Sequence, residues 1–250
     1  MQKNMLRRNY YVITITMLLT IVGVYFITSR CNKNNFQGDM PFEQATTLLG
    51  ELYKDKSGFG IPSEETEIIR SRGGAPTYGE ISYKAVDTIL NDLFITDEDV
   101  LYDLGSGVGK MVLQSYLSFP FKKVVGVELS TKRFAQSVEV KDLLEEKGLM
   151  NPKRPILFLQ EDFTESDLDD ATVVYLGSTC YSLDLMNTLV KKLSKLKKGL
   201  WVITLKRLPD PEEYNFTLIK EYRLPMSWSK SSPVHVYELK EQMPNRQSQV

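Results

Sequence analysis

The sequence predicts an α/β fold. A three-layer α/β/α sandwich surrounds a seven-stranded sheet, the last two strands form an antiparallel hairpin, and a transmembrane helix precedes the whole. Three observations carry this expectation. Short apolar runs alternate with segments whose apolar residues recur at helical spacing. A glycine-rich turn, Gly105-Ser-Gly-Val-Gly109, joins the first run to a helix. The last two runs lie too close for a parallel crossover, which takes a dozen residues or more, so they return antiparallel.

The N-terminal unit comes first. No charged side chain occurs from Asn9 to Ser29, and most of that stretch is apolar. At 1.5 Å per residue a helix of this length spans about 30 Å, the thickness of a bilayer core. Tyr10, Tyr11, Tyr25 and Phe26 sit near its ends as interfacial aromatics do, flanked by Arg7, Arg8, Arg30 and Lys33. A cleaved signal peptide is the alternative, but no small-x-small site follows, and Arg30 stands where a lipoprotein needs a small residue before Cys31. Residues 1–30 therefore read as a single-pass anchor. Within 31–77, a polar linker (31–40) leads to a helical pattern over 41–57, with Phe42, Ala45, Leu48, Leu49, Leu52 and Tyr53 on one face. Residues 58–77, rich in glycine and proline, read as an irregular drape.

Residues 78–242 form the main domain and 243–250 a polar tail. Ile81, Ala85, Val86, Ile89, Leu90 and Leu93 mark a helix. Strands follow at Val100–Leu104, Lys123–Leu129, Ile156–Gln160, Thr172–Leu176 and Leu200–Leu205, with helices at Val108–Leu117, Thr131–Lys147 and Leu183–Leu196. Gly148 and Gly199 stop the last two helices. Phe216–Arg223 and Val234–Leu239 form the hairpin, joined by Leu224–Pro233.

Composition narrows the chemistry. With 250 residues, 42% hydrophobic and 25% charged, the chain builds one domain plus an appendage. A net charge of −1 gives no field that draws nucleic acid. Two distant cysteines and a single histidine, His235, offer neither a disulfide framework nor a metal site. Lys191, Lys192, Lys195, Lys197 and Lys198 read as a solvated helix end, where cations suit the dipole.

The chemistry gathers where strands end. The glycines of Gly105-Ser106-Gly107-Val108-Gly109-Lys110 let backbone N–H groups approach a ligand. The acid just ahead, Asp103, suits a cationic ammonium better than a pyrophosphate, and S-adenosylmethionine (SAM) carries such a group. A phosphate-binding loop is excluded, since Leu104 and Met111 stand where it needs a glycine and a hydroxyl. The dinucleotide fingerprint places its third glycine where Lys110 stands. Glu128-Leu129 ends the second strand, where an acid can hold ribose hydroxyls. Asp162-Phe163 follows the third, where an acid and an aromatic can hold adenine. Ser178, Thr179 and Tyr181 follow the fourth, beside a transferable methyl, as candidate catalytic residues.

Tyr78-Gly79-Glu80, then Asp103 to Gly109, then Val125-Gly-Val-Glu-Leu129 with Arg133 and Ala135, is similar to the catalytic domain of the disruptor-of-telomeric-silencing family, the histone lysine methyltransferases that lack the SET fold. The resemblance covers roughly residues 75–210. It implies a class I, Rossmann-like methyltransferase fold, SAM as donor and a protein lysine as acceptor, histone among the options. It places Tyr78, Gly79 and Glu80 in the SAM pocket and Asp162-Phe163 at the adenine. Gly177-Ser-Thr-Cys-Tyr181 departs from the asparagines and aromatics of the histone-directed enzymes, and no basic nucleosome-binding tract is evident. An anchor also suits the membrane-associated mitochondrial protein-lysine methyltransferases, which share a similar turn. The expected setting is a single-pass membrane protein whose catalytic domain faces a SAM-containing compartment, cytosol or organelle matrix. A small-molecule or lipid methyltransferase and a non-catalytic module stay open as alternatives. Trp228 reads either as a roof over the acceptor entrance or as hairpin core.

Overall fold

The computed structural model describes Gly38 and residues 40–241, all within the second of the chain's two compact units, residues 37–250. The expected membrane anchor and the polar tail lie outside the described residues.

Helices α1 (Phe42–Leu52), α2 (Ser63–Ser71) and α3 (Tyr83–Asp92) lead into strand β1 (Val100–Leu104). Then come α4 (Lys110–Ser118), β2 (Lys123–Glu128), α5 (Thr131–Glu146), β3 (Ile156–Gln160), β4 (Val173–Leu176), α6 (Leu183–Leu193), β5 (Trp201–Thr204), β6 (Phe216–Met226) and β7 (Ser229–Leu239). The strands make one seven-stranded sheet in the order β3-β2-β1-β4-β5-β7-β6. β1 to β5 are parallel; β7 runs antiparallel to β5 and β6. The order reverses beside β1, which pairs with both β2 and β4. Such a switch point opens a crevice at the strands' carboxyl ends.

The two faces are covered unequally. Ala45 and Leu49 of α1, Val86 and Leu90 of α3, Val112 and Tyr116 of α4 and Val140 and Leu144 of α5 pack one face. On the other, a single helix among the described residues, α6, packs through Leu185, Met186, Leu189 and Leu193, helped by Leu168 and Leu208 from connecting segments.

Three expectations about the elements need correction, and a fourth finding concerns the connection from β3 to β4. Residues 63–71 are helical: Pro62 precedes the first turn, Glu64 and Glu65 suit its N-terminal dipole and Arg70 its last turn. No helix joins β3 to β4; residues 161–172 cross as turns. The hairpin loop is only Ser227-Trp228, because both strands run through Pro225 and Pro233. Proline is tolerated there since β6 is an edge strand and β7 pairs with β5 only from His235 onward. The helix after the glycine turn starts at Lys110 rather than Val108, since Gly109 at φ 84° lies outside helical space.

Candidate functional site

The glycine turn opens a cleft of about 390 Å³ at the switch point. Gly105, Gly107 and Gly109 have φ of 91°, 57° and 84°. Two rings press close: a Cβ on Gly105 would lie 2.5 Å from the Tyr181 hydroxyl, and one on Gly107 2.7 Å from the Tyr78 ring. Only glycine meets both the backbone and the contact requirement at these two positions.

Carboxylates guard this floor. Asp103 is buried, and its Oδ1 has no hydrogen-bond partner. Burial, then the neighbouring Glu128 carboxylate, pushes its pKa up to about 8. Glu128 accepts Gly107 N–H on Oε2 and Ser130 N–H on Oε1, both at 2.8 Å. Burial raises its pKa against those backbone bonds and nearby Arg133. Each oxygen keeps a lone pair for a ligand. Asp162 spends Oδ1 on the Thr164 amide and hydroxyl, while Oδ2 makes no hydrogen bond and faces Arg72 at 3.5 Å. Ser106 also keeps a buried hydroxyl without a partner.

The walls are aromatic. Phe163 and Tyr181 lie with centroids 5.7 Å apart, and Tyr181 donates its hydroxyl to Leu104 O at 2.9 Å. Tyr78 donates to Glu80 Oε1 at 2.7 Å; Lys110 Nζ binds Glu80 Oε2 at 2.8 Å. Burial, followed by the Glu80 charge, raises the Tyr78 pKa, so it stays a neutral donor.

The roof comes from distant sequence. Glu80 N–H donates to Ser227 Oγ at 2.9 Å, and Ser227 N–H to Glu80 O at 2.8 Å, clamping the hairpin tip onto Tyr78-Gly79-Glu80. Trp228 then lies over Gly79, where a Cβ would meet its ring at 2.4 Å. Of its two readings, Trp228 takes the roof: it lines the cleft and stays 47% exposed. The segment from residue 56 to Tyr78 crosses the other side. Arg133 Nε binds Gly58 O at 2.9 Å, its Nη2 binds Pro76 O at 2.6 Å, and its guanidinium lies over the Tyr78 ring. Lys132 Nζ binds the carbonyls of Phe59 and Gly60, Ser57 and Gln136 exchange two bonds, and Lys56 pairs with Glu139.

Of the expected site residues, Tyr78, Gly79, Glu80, Asp103, Gly105, Ser106, Gly107, Lys110, Glu128, Leu129, Asp162, Phe163, Thr179 and Tyr181 meet around the cleft. Three do not line it. Val108 is fully buried and its carbonyl accepts the Tyr53 hydroxyl at 2.7 Å. Gly109 packs under Phe158. Ser178, expected to be catalytic, is turned into the sheet: its buried hydroxyl meets Thr204 Oγ1 at 2.8 Å and accepts the Leu205 and Lys206 amides. It positions the turn that carries Thr179 and Tyr181. Sequence reasoning left Arg133, Arg72 and Ser227 out of the site. Arg133 carried one signal: it sits in the first turn of a helix, where the dipole disfavours a cation unless other groups hold it.

Residues 70–222 match the family described as Histone methylation protein DOT1. The chain belongs to that family. A histone-lysine N-methyltransferase of Caenorhabditis elegans, named as H3 lysine-79 specific, is 31% identical over 140 residues, which cover 53% of this chain and 15% of that protein. A protein-lysine N-methyltransferase of Saccharolobus islandicus is 31% identical over 123 residues, 48% of this chain and 70% of that protein. The chain thus spans far less than two thirds of the histone-directed relatives, 7% for the one from Drosophila melanogaster. A Pyrococcus horikoshii structure provisionally named an RNA methyltransferase aligns with a TM-score of 0.51 at 15% identity, over 80% of this chain and 100% of that one. That likeness speaks for the fold alone.

Proposed function

We propose that this DOT1-family chain is a SAM-dependent protein-lysine N-methyltransferase. The observation that carries the reading is the Asp103 carboxyl group, buried with its Oδ1 unpartnered beside a left-handed glycine turn: an acid that can give up its proton where a cationic amino-acid ligand fits. Family membership and the lysine-methylating names of the relatives support the acceptor class.

The donor set fits SAM. Asp103 would accept the ammonium, Glu128 the ribose hydroxyls, and Asp162 Oδ2 the adenine amino group once Arg72 yields, with Phe163 against the ring. Gly105, Ser106, Gly107 and Lys110 would line the methionine end, with Leu129 beside the ribose; Val108 and Gly109 would act only through the backbone of the turn. Bound there, SAM supplies an activated methyl on a sulfonium. The chain mainly supplies position and dryness. Tyr78, Tyr181 and Trp228 would form an apolar channel that favours a neutral lysine amine by desolvation. Thr179 is the free hydroxyl that could orient it, and Ser178 and Tyr181 would hold that turn in place.

From the sequence alone, we also propose that residues 9–29 anchor the protein in a membrane, with the catalytic body on a SAM-containing side. Calorimetric titration of the full chain with SAM, then labelling of a lysate with radioactive SAM, tests the function. Labelled lysine in a protein band is expected. Label confined to the lipid extract, or no SAM binding, would overturn it. Retention of the full chain in membranes after alkaline extraction, and release of a chain lacking residues 1–30, would support the anchor.

A further inference from the structure

Among the described residues, the unequal covering of the sheet leaves one face unfinished. Among the described residues β3 pairs only with β2, so none of them covers its outer edge. The crossover that follows carries no helix, and α6 packs over the strands at the centre of the sheet. Leu157 is 41% exposed, the one exposed large hydrophobic in the five parallel strands among the described residues. Leu159, on the same side of the strand, is partly covered.

The crossover supplies a rim instead. Residues 161–170 hold six carboxylates and no cation. Asp162 faces Arg72, and Asp170 pairs with Lys123. Glu161, Glu165, Asp167 and Asp169 are exposed, and no cation pairs with them among the described residues. Lys192 stands near, but its Nζ is held by the carbonyls of Thr164 and Ser166 at 2.8 and 2.5 Å. The same loop carries Asp162 and Phe163 into the cleft.

We infer that the free edge and outer face of β3 form a docking site for an extended basic peptide segment with aliphatic side chains. This rests on the protein-methylating reading and adds to it a surface outside the cleft that would grip an acceptor chain. An added strand satisfies backbone groups along β3, alternate aliphatic residues cover Leu157, and lysine or arginine residues meet the acidic rim. Nucleic acid is disfavoured there by charge.

The test uses the full chain and two fluorescent peptides, one alternating lysine with valine and one alternating glutamate with valine. The lysine peptide should bind, more weakly as salt rises. Leu157→Ser and the pair Glu165→Lys/Asp167→Lys should each weaken it about tenfold or more. SAM binding, measured on the same samples, should be unchanged in both variants, which checks folding. Equal binding of the glutamate peptide, no binding, or binding indifferent to both variants would overturn the inference. Peptide binding as expected without any methyl transfer would instead break the functional reading.

Discussion

The floor and the roof of the cleft are built on different principles. The floor is two strand ends and one turn, Asp103 to Gly109 and Glu128, held by backbone bonds such as Gly105 N–H to Val127 O at 2.8 Å. The roof joins segments far apart in sequence through side chains: Arg133 reaches 75 residues back to Gly58, and Ser227 meets Glu80 across 147. Backbone ladders fix the floor before any ligand arrives, whereas the roof holds by a few polar contacts that can open locally. In the proposed reading the floor would set which cofactor fits, and the roof would set access and acceptor.

Breaking the floor should have the largest effect. Asp103→Asn removes the floor carboxyl group whose buried Oδ1 has no other partner, so SAM affinity should fall by about 3 kcal/mol or more, roughly 100-fold, in a calorimetric titration. Stability should move the other way. The folded pKa of Asp103 lies near 8, above the ordinary carboxylate value of 3.8. Below the ordinary value both states are protonated and nothing is lost. Between it and about 8 the unfolded chain sheds its proton first, so wild-type stability falls as pH rises, then levels off. Asparagine escapes that loss. The variant should therefore melt higher near pH 8, by at least the roughly 2–4 °C that 1 kcal/mol produces in a chain of this size, and no higher at pH 4. SAM uptake by the wild type should release a proton below pH 8, read as a heat that changes with buffer. A variant that melts lower at every pH would show that the carboxylate supports the fold instead.

The same division explains what the sequence disclosed. Every floor residue sits in a contiguous strand–turn–helix or strand-end motif, where period and glycine spacing act locally. The roof depends on contacts that no local pattern encodes. Nothing around Ser227 signals that its hydroxyl meets the Glu80 amide. The prolines at 225 and 233 suggested a loop because the edge position that tolerates them is a property of the finished sheet. Ser178 shows the converse: its place after β4 was legible, but the direction of its hydroxyl depends on Thr204, 26 residues on. Residues 63–71 were obscured by glycines on both sides, although Pro62 and the acidic first turn marked a helix start.

Breaking the roof at Arg133 should have an intermediate effect. Arg133→Ala deletes hydrogen bonds to two carbonyls and a cation over the Tyr78 ring, a loss of about 2–3 kcal/mol. The expected event is local: residues 58–76 detach, and trypsin cuts after Arg70 and Arg72 about tenfold faster or more. Saturating SAM should slow the cutting again if the segment closes over the ligand. Unchanged cutting would mean that Lys132, Gln136 and the Lys56–Glu139 pair hold the segment without Arg133.

The smallest effect should come from the hairpin tip. Trp228 is half exposed and packs mainly on Gly79, so Trp228→Ala should cost about 1 kcal/mol in melting experiments. Its role over the cleft predicts a split that packing alone would not give. KM for an acceptor peptide should rise about fivefold, the equivalent of about 1 kcal/mol, while SAM affinity stays unchanged. Trp228→Phe should restore most of it. Gly79→Ala offers the mirror test: the new Cβ would stand 2.4 Å from the indole and push it off the cleft, so acceptor KM should rise with the tryptophan still present. If SAM affinity falls as acceptor KM rises in both variants, the tip serves the floor, and the division between the two regions dissolves.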